Sequence, residues 1–223
     1  MRSPFSLPQL VLFVFTVGLL VALVQLGILS IAFDKLGLSQ GSAMLLLFAS
    51  LFGSAVNLPL FTVQAEAPAE DTTLPPPLRG LLRQMRQEFH GRTLIAVNAG
   101  GGLVPIWFSI YLLMHQPLPI WQVLLSIAAV AAVSHMMSRP MRGVGIGMPI
   151  FVAPACAALV AMVINPAHSA PLAYICGTLG VLIGADLLRL KDIRRMGAPI
   201  ASIGGAGTFD GIFITGIVAV LLA

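Results

Sequence analysis

The sequence predicts an all-α, polytopic membrane helix bundle. Three observations support this fold class: the composition, the length of the apolar runs and the distribution of basic residues. Of the 223 residues, 58% are hydrophobic and 9% are charged, and the mean hydropathy is +0.98. Soluble domains carry about 25% charged residues. Twelve basic and eight acidic side chains cannot cover a soluble protein of this length, which excludes soluble enzymes and nucleic-acid binders.

Seven apolar stretches approach the roughly 20 residues that a helix needs to cross a hydrocarbon core of about 30 Å. We therefore predict that residues 1–223 form a single transmembrane domain of about seven helices. The first stretch is longer than a signal-peptide core and precedes no small-x-small cleavage site, so we expect it to remain as a span. The predicted spans are 7–33, 42–63, 93–114, 120–137, 148–165, 171–190 and 200–223.

The basic residues predict the orientation of these spans, because cytoplasmic loops keep positive charge during insertion. With seven spans, eleven of the twelve Lys and Arg residues fall on one side, and only Lys35 falls on the other. The amino terminus is therefore predicted in the cytoplasm and the carboxyl terminus outside, in a multi-pass protein of the inner (plasma) membrane. The eleven are Arg2, Arg79, Arg83, Arg86, Arg92, Arg139, Arg142, Arg189, Lys191, Arg194 and Arg195.

Residues 64–92 form the one sizeable loop and are predicted in the cytoplasm. Their first part, 64–77, is acidic and ends in three prolines, which is typical of an extended linker. Their second part, 78–92, has apolar residues near helical spacing with arginines between them, which favours an interfacial helix on anionic lipid. Membrane lipid is thus the expected partner. The alternative is a solvated basic loop that only sets topology.

Two acidic residues, Asp186 and Asp210, fall inside predicted spans, on consecutive helices. A carboxylate in hydrocarbon costs several kcal/mol, so such residues usually face a cavity, a partner or a reaction. Asp186 lies about one turn inside the cytoplasmic boundary. The glycines at 204, 205 and 207 favour a bent or unwound entry to the last span, which lowers Asp210 towards the same layer. We expect the two carboxyl groups to face each other in the cytoplasmic leaflet.

Other polar residues are predicted in the same layer, as a site for a substrate or an ion. The alternatives are interhelical hydrogen bonding for the two asparagines and a capped or snorkelling role for the histidine. No His or Cys pattern has metal spacing, so neither a metal nor a cofactor is expected. Three glycine-rich stretches, 100–102, 143–147 and 204–207, favour broken helix starts, or alternatively close packing. The proposed site residues are Asn57, Asn98, His135, Gly204, Gly205, Gly207 and Thr208.

Residues 183–188 (Ile-Gly-Ala-Asp-Leu-Leu) and 197–216 (Gly-Ala-Pro-Ile-Ala-Ser-Ile-Gly-Gly-Ala-Gly-Thr-Phe-Asp-Gly-Ile-Phe-Ile-Thr-Gly) give the chain a family resemblance. It resembles the small prokaryotic membrane proteins of domain-of-unknown-function family sixteen-fourteen. The resemblance extends over most of the chain from the second span onward and implies no established activity.

A weaker resemblance is to intramembrane aspartyl proteases of the presenilin and signal-peptide-peptidase type. In those proteins an Asp on an inward-running sixth span faces an Asp on an outward-running seventh span, which matches Asp186 and Asp210. Their Gly-x-Gly-Asp motif is replaced here by Gly-Thr-Phe-Asp at 207–210, and Ala185 replaces the Tyr that precedes the first Asp. The resemblance implies catalytic roles for Asp186 and Asp210.

Three functions are consistent with these residues. The first is an aspartyl-type intramembrane hydrolase or protease, in which Asp186 and Asp210 share one proton and cleave a membrane protein or peptide. The second is a small transporter in which the same pair binds a proton or cation and His135 relays it. The third is a structural or accessory membrane protein, in which an Asp, most readily Asp186, pairs with Arg189 or caps a helix. No nucleic-acid partner is expected.

Overall fold

A computed structural model describes residues 7–25, 27–65, 91–141, 145–195, 199–205 and 211–223. The protein is mostly helical. Its helices are α1 (Leu7–Gln25), α2 (Ile28–Lys35), α3 (Gln40–Gly53), α4 (Val104–His115), α5 (Ile120–Met137), α6 (Val152–Ile164), α7 (Ser169–Val181) and α8 (Gly211–Leu222). Two π-helical turns, π1 (Ala99–Leu103) and π2 (Leu182–Leu187), precede α4 and follow α7. Short 3-10 turns lie at Pro166–His168 and Asp192–Arg195.

Helix α7 is the centre of the bundle. It packs against α4, α5, α6 and α8, and its residues from Ser169 to Thr178 are all buried. Small residues in α7 allow this close packing on every side; a Cβ at Gly177, for example, would lie 3.2 Å from the Cβ of Ala157. Pro171 lies in the first turn of α7, where a proline removes no helical hydrogen bond.

The helices connect two ends of the molecule. At the first, which we call the Lys35 end, Lys35 Nζ donates to the carbonyl oxygens of Val220 (3.4 Å) and Leu221 (3.5 Å). Ser169 Oγ donates to the carbonyl oxygen of Ala223 there, at 3.1 Å. A lysine at the last carbonyls of α8 complements the negative end of its dipole. Helices α3, α5 and α7 run away from this end, and α4, α6 and α8 run towards it.

A three-stranded sheet lies at the opposite end, which we call the sheet end. Its strands are β1 (Asn57–Gln64), β2 (Arg92–Asn98) and β5 (Ile200–Ile203), in the order β1-β2-β5. Strand β1 pairs antiparallel with β2, from Asn57 opposite Asn98 to Gln64 opposite Arg92. Strands β2 and β5 are parallel, from Leu94 opposite Ile200 to Val97 opposite Ile203. Two further short strands, β3 (Arg139–Met141) and β4 (Gly145–Gly147), form a second, antiparallel pair.

These strands correct the prediction of an all-α fold. The end of predicted span 42–63 is strand β1, the start of span 93–114 is strand β2, and the start of span 200–223 is strand β5. Strands also contain both ends of the predicted loop, since Gln64 belongs to β1 and Arg92 to β2. An apolar strand and an apolar helix have the same hydropathy, so composition does not separate them. The rest of that loop, including the predicted interfacial helix, lies outside the described residues.

The predicted first span is also interrupted. Helix α1 ends at Gln25 and α2 begins at Ile28, after Gly27 with a φ of 74°. Helices α2 and α3 then meet at a bend of 105°. The predicted span 120–137 coincides with α5, Ile120–Met137.

Within the described ranges, two helical segments are long and apolar enough to cross a membrane: Ile120–Met137 and Pro166–Leu187. The bent pair α2–α3 makes a third if it counts as one span. Shorter apolar helices occur at Leu12–Ala22, Ala99–His115, Val152–Ile164 and Ile212–Leu222. The segments therefore include candidate membrane spans, although fewer of them than the sequence predicted reach full length.

Close backbone contacts between glycines join the helices to the sheet end. A Cβ at Gly53 of α3 would lie 2.9 Å from the backbone nitrogen of Gly100 in π1. Conversely, a Cβ at Gly100 would collide with Ser50 O and Ser54 N of the α3 end. The hydroxyl of Ser50 donates to the carbonyl oxygen of Gly100 at 2.9 Å. The carboxyl end of α3 and the π1 turn are thus in direct backbone contact.

We predict that Gly100→Ala destabilises the fold. The added methyl group would collide with helix backbone that cannot rotate away, so the free energy of unfolding should fall by about 2–3 kcal/mol. Denaturant unfolding of the purified protein in a mild detergent measures this change. Gly41→Ala is the matched control, because a Cβ there meets no heavy atom within 4 Å. An unfolding midpoint of Gly100→Ala equal to that of Gly41→Ala would contradict the prediction.

Candidate functional site

The predicted site residues that the structure describes all lie at the sheet end. Asn57 is on β1, Asn98 ends β2, His135 lies in the last turn of α5 and Asp186 is in π2. Gly204 and Gly205 follow β5, with φ angles of +82° and +97°. These six residues therefore lie at the same end of the molecule. Gly207, Thr208 and Asp210 lie outside the described residues.

Asp186 is held by the loop that follows β5. Its Oδ2 accepts a hydrogen bond from the backbone N–H of Gly204 at 2.7 Å. The N–H of Gly204 is available because β5 ends at Ile203, so it is not needed in the ladder. A positive φ at Gly204 turns the chain at that point, a conformation that residues with a Cβ rarely adopt. Among the residues that the structure describes, this is the hydrogen bond of the Asp186 carboxyl group, and the backbone carbonyl of Asp186 accepts separately from the N–H of Arg189 at 3.2 Å.

Both π turns converge on Gly204. A Cβ at Gly204 would lie 2.6 Å from the backbone nitrogen of Gly102 in π1 and 2.7 Å from its Cα. Asp186 contacts Gly204 from π2. Helix segments with π geometry are rare and occur frequently at functional sites. Two of them meet at Gly204. We call the contact of Gly102, Asp186 and Gly204 the junction, and we take it as the candidate site.

Asn98 organises a second group of hydrogen bonds beside the junction. Its side chain is fully buried, and its Nδ2 donates to Ser54 O at 2.7 Å and to Asn57 Oδ1 at 3.1 Å. Its Oδ1 accepts from the N–H of Gly101 at 2.8 Å, which caps π1. Asn98 thus links α3, β1 and π1. Interhelical hydrogen bonding was the alternative that the sequence left open for Asn57 and Asn98, whereas the contacts observed join strands β1 and β2 to the end of α3 and to the π1 turn.

Ser202 belongs to this group, although the sequence analysis did not identify it. Its hydroxyl donates to Asn57 Oδ1 at 2.6 Å. The contact depends on β5 lying next to β2, and no local sequence pattern indicates parallel pairing between segments about a hundred residues apart. Ser202 lies on β5 and Gly204 directly follows this strand, so the two groups of hydrogen bonds are two residues apart in the chain.

His135 and Arg189 contact the other side of the π2 turn. His135 Nδ1 lies 3.2 Å from the carbonyl oxygen of Gly184, two residues before Asp186. Arg189 donates to the carbonyl oxygens of His135 (2.7 Å) and Ser138 (2.8 Å) and pairs with Asp192 at 3.1 Å. The sequence hypothesis that Asp186 pairs with Arg189 is therefore wrong: Asp186 binds Gly204, and Arg189 binds the end of α5 and Asp192.

An apolar cleft opens between α3 and α4. It has a volume of about 510 Å³, and its inner end lies at Leu103 and Val104, where π1 passes into α4. Helix α3 touches the π1 turn at Gly53 and Gly100, and beyond that contact α3 and α4 leave this space between their side chains. The residues that line it are Leu38, Ser42, Leu45, Leu46, Ala49, Leu103, Val104, Trp107, Phe108 and Tyr111.

The chemistry available at the junction is that of a carboxyl group held by one N–H. Such a group can exchange a proton or bind a cation, and its second oxygen can face a partner. Among the residues that the structure describes, no three His, Cys, Asp or Glu side chains lie close enough together to hold a metal ion. Cys156 and Cys176 are both unpaired cysteines.

We predict that Asn98→Ala destabilises the protein by about 2–4 kcal/mol, because it leaves Ser54 O and the N–H of Gly101 buried without their partner. Asn57→Ala should cost less, since Asn57 is exposed and its partner Ser202 can bind water instead. The two variants can be compared by denaturant unfolding in detergent. An equal loss in both would show that Asn98 does not have this organising role.

A comparison with curated proteins and one with solved structures find no match. One family model does match, over residues 51–222, and its description is Protein of unknown function (DUF1614). This range contains the junction, the sheet and helices α4 to α8, and it begins in α3. The family that the sequence motifs indicated is thereby confirmed, and the chain belongs to the DUF1614 family of proteins of unknown function.

Proposed function

We propose that this chain is a multi-pass protein of the inner membrane that hydrolyses peptide bonds with Asp186 and Asp210. The observation on which the proposal depends is the hydrogen bond between Asp186 Oδ2 and the N–H of Gly204. This hydrogen bond joins the π2 turn, which contains Asp186, to Gly204, and Asp210 follows Gly204 by six residues in the sequence. Seven spans, a cytoplasmic amino terminus and an external carboxyl terminus complete the proposal.

The alternating helix directions support this topology. Arg139, Arg189 and Lys191 lie at or beside the strands and turns of the sheet end, whereas Lys35 lies at the other end, against the end of α8. Positive residues are retained in the cytoplasm, so the sheet end is proposed to face the cytoplasm. The helices shorter than a full span then cross the remaining thickness with the π turns and with strand β2, which is largely buried, whereas the exposed strand β1 is proposed to lie outside the hydrocarbon.

Reporter fusions test the topology. A fusion of alkaline phosphatase, which is active only outside the cytoplasm, should be active after Ala223 and after Gln116, and inactive after residue 143. A fusion of green fluorescent protein, which fluoresces only in the cytoplasm, should give the reverse pattern at the same three positions. The pattern follows from α4, α6 and α8 running outward. A fluorescent fusion after Ala223 would contradict an odd number of spans.

The described residues on both sides of Asp210 in the chain contact π2, which is compatible with two adjacent aspartates. Gly204, six residues before Asp210, contacts Asp186. Ile212, two residues after Asp210, lies in the same buried apolar cluster as Leu182 and Ala185. Six residues span at most about 20 Å, so the length of the connection is compatible with the proposed pairing of Asp210 with Asp186. Two carboxyl groups a few ångströms apart would hold one proton between them, since both cannot ionise cheaply.

The proposed reaction needs no cofactor. The ionised carboxylate removes a proton from water as the water oxygen attacks the peptide carbonyl carbon, and the protonated partner donates its proton to the carbonyl oxygen. The resulting tetrahedral diol then loses a proton to the carboxyl group that is now ionised. The nitrogen gains the proton of the other carboxyl group as the C–N bond breaks. The apolar cleft beside π1 supplies an approach for a hydrophobic peptide segment, which is the substrate class we propose.

Substitution of either acid tests this activity. Purified protein in lipid vesicles is incubated with a panel of single-span membrane peptides, and cleavage is measured by mass spectrometry. We expect Asp186→Asn and Asp210→Asn each to lose at least about a hundredfold in rate, because neither amide can exchange the proton. A peptide analogue with a hydroxyl group in place of the scissile carbonyl should raise the melting temperature of the wild-type protein. It should not raise the melting temperature of either Asp→Asn variant.

Asp34→Asn is the matched control, because Asp34 is exposed near the Lys35 end and should leave cleavage unchanged. Retention of cleavage by Asp186→Asn would overturn the proposal. So would the absence of both cleavage and stabilisation by the analogue in the wild-type protein.

A second candidate function is proton- or cation-coupled transport, which the broken helices favour. The 105° bend between α2 and α3 and the two π turns resemble the discontinuous helices that form ion sites in transporters. In the same vesicles, proton or cation flux that depends on Asp186, without any cleavage, would support transport instead. A structural or accessory role is the third candidate, and it predicts loss of assembly, without loss of flux or cleavage, when Asp186 is replaced.

A further inference from the structure

We propose that His135 and Arg189 are positioning residues that hold the π2 turn so that Asp186 meets Gly204. His135 contacts this turn from α5, and Arg189, two residues after the turn, binds the end of α5, so the chain is held on both sides of Asp186. The value of this arrangement for hydrolysis rests on the proposed function, but the arrangement itself can be tested without any activity. Neither residue needs to touch a substrate.

His135 holds the turn through its ring and its backbone. A carbonyl oxygen only accepts hydrogen bonds, so Nδ1 of His135 must bear the proton that it shares with Gly184 O at 3.2 Å. The carbonyl oxygen of the same histidine accepts from Arg189 Nη2 at 2.7 Å. One residue at the end of α5 therefore binds the chain two residues before Asp186 and three residues after it.

Arg189 closes the other side of this arrangement. Besides His135 O, its guanidinium donates to Ser138 O at 2.8 Å and Ser138 Oγ at 3.2 Å, which satisfies carbonyls at the end of α5. Its charge is balanced by Asp192 at 3.1 Å. The arginine is thus engaged by groups other than Asp186, so it fixes the turn without neutralising the acid.

A fixed turn matters because π2 contains one residue more per turn than an α-helix. Relaxation of the segment to α geometry would rotate the residues beyond the point of change by about 100° around the helix axis. That rotation would withdraw Asp186 Oδ2 from the N–H of Gly204. The contacts at Gly184 and Arg189 oppose it, because both would have to break.

Nuclear magnetic resonance of the intact protein in detergent micelles tests this directly. Labelling isoleucine carbonyls with ¹³C and glycine nitrogens with ¹⁵N selects the three Ile–Gly pairs of the sequence, at 146–147, 183–184 and 203–204. A hydrogen bond to a carboxylate moves an amide proton downfield. The signal that moves upfield in Asp186→Asn identifies Gly204.

We expect His135→Ala and Arg189→Gln to move the Gly204 signal as far as Asp186→Asn does. His135→Asn keeps an N–H donor for Gly184 O and should restore the wild-type position. Lys191→Gln, which removes an exposed neighbouring charge, is the control and should change nothing. An unchanged Gly204 signal in both His135→Ala and Arg189→Gln, with the proteins folded, would overturn the inference.

Activity gives an independent readout. If the hydrolase proposal holds, the two displacing variants should lose up to about a hundredfold in cleavage rate with little change in KM, and His135→Asn should recover most of it. If the wild-type protein cleaves nothing while the Gly204 signal responds as expected, the hydrolase proposal is refuted and the positioning roles of His135 and Arg189 are supported. If the Gly204 signal moves in the variants while their activity is full, the contacts are supported but their importance for catalysis is refuted.

Discussion

Backbone contact between glycines is the constraint on which the sheet end depends. Gly100 touches the end of α3, and Gly204 touches Gly102, at distances that leave no room for a Cβ. Because backbone is rigid compared with side chains, these contacts fix the positions of α3, π1 and β5 relative to one another. Asp186 then needs only one hydrogen bond to join π2 to the same junction.

The same contacts explain why polar residues gather at this end of an otherwise apolar bundle. Strands and π turns leave N–H and C=O groups that an uninterrupted α-helix would pair internally, and in an apolar environment each of these groups needs a partner. Asn98 satisfies Ser54 O and the N–H of Gly101, and Arg189 satisfies carbonyls at the end of α5. Much of the polar layer therefore supports the irregular backbone, and within the described residues Asp186 does the same for the N–H of Gly204.

The sequence predicted those features that depend on hydropathy and residue type. Helix α5 has the predicted bounds, and Asn57, Asn98, His135 and Asp186 lie at the same end of the molecule. It did not predict the strands, because Leu58, Leu60, Phe61 and Val63 continue the apolar run of α3, and the edge position that tolerates Pro59 in a strand is a tertiary feature. Nor did it identify Ser202 or the role of Arg189, since both depend on contacts between segments distant in the chain.

The partners of Arg189 bear on how Asp186 can function. An aspartate paired with an arginine is stabilised in its ionised form and exchanges its proton only at low pH. Here, among the residues that the structure describes, the guanidinium is bound by Asp192 and by the carbonyls of His135 and Ser138, and the Asp186 carboxyl group accepts from the neutral N–H of Gly204. A carboxyl group in that setting can share a proton with a second acid or take up a cation. Both the hydrolase and the transport proposals require this property, and a purely structural acid would gain nothing from it.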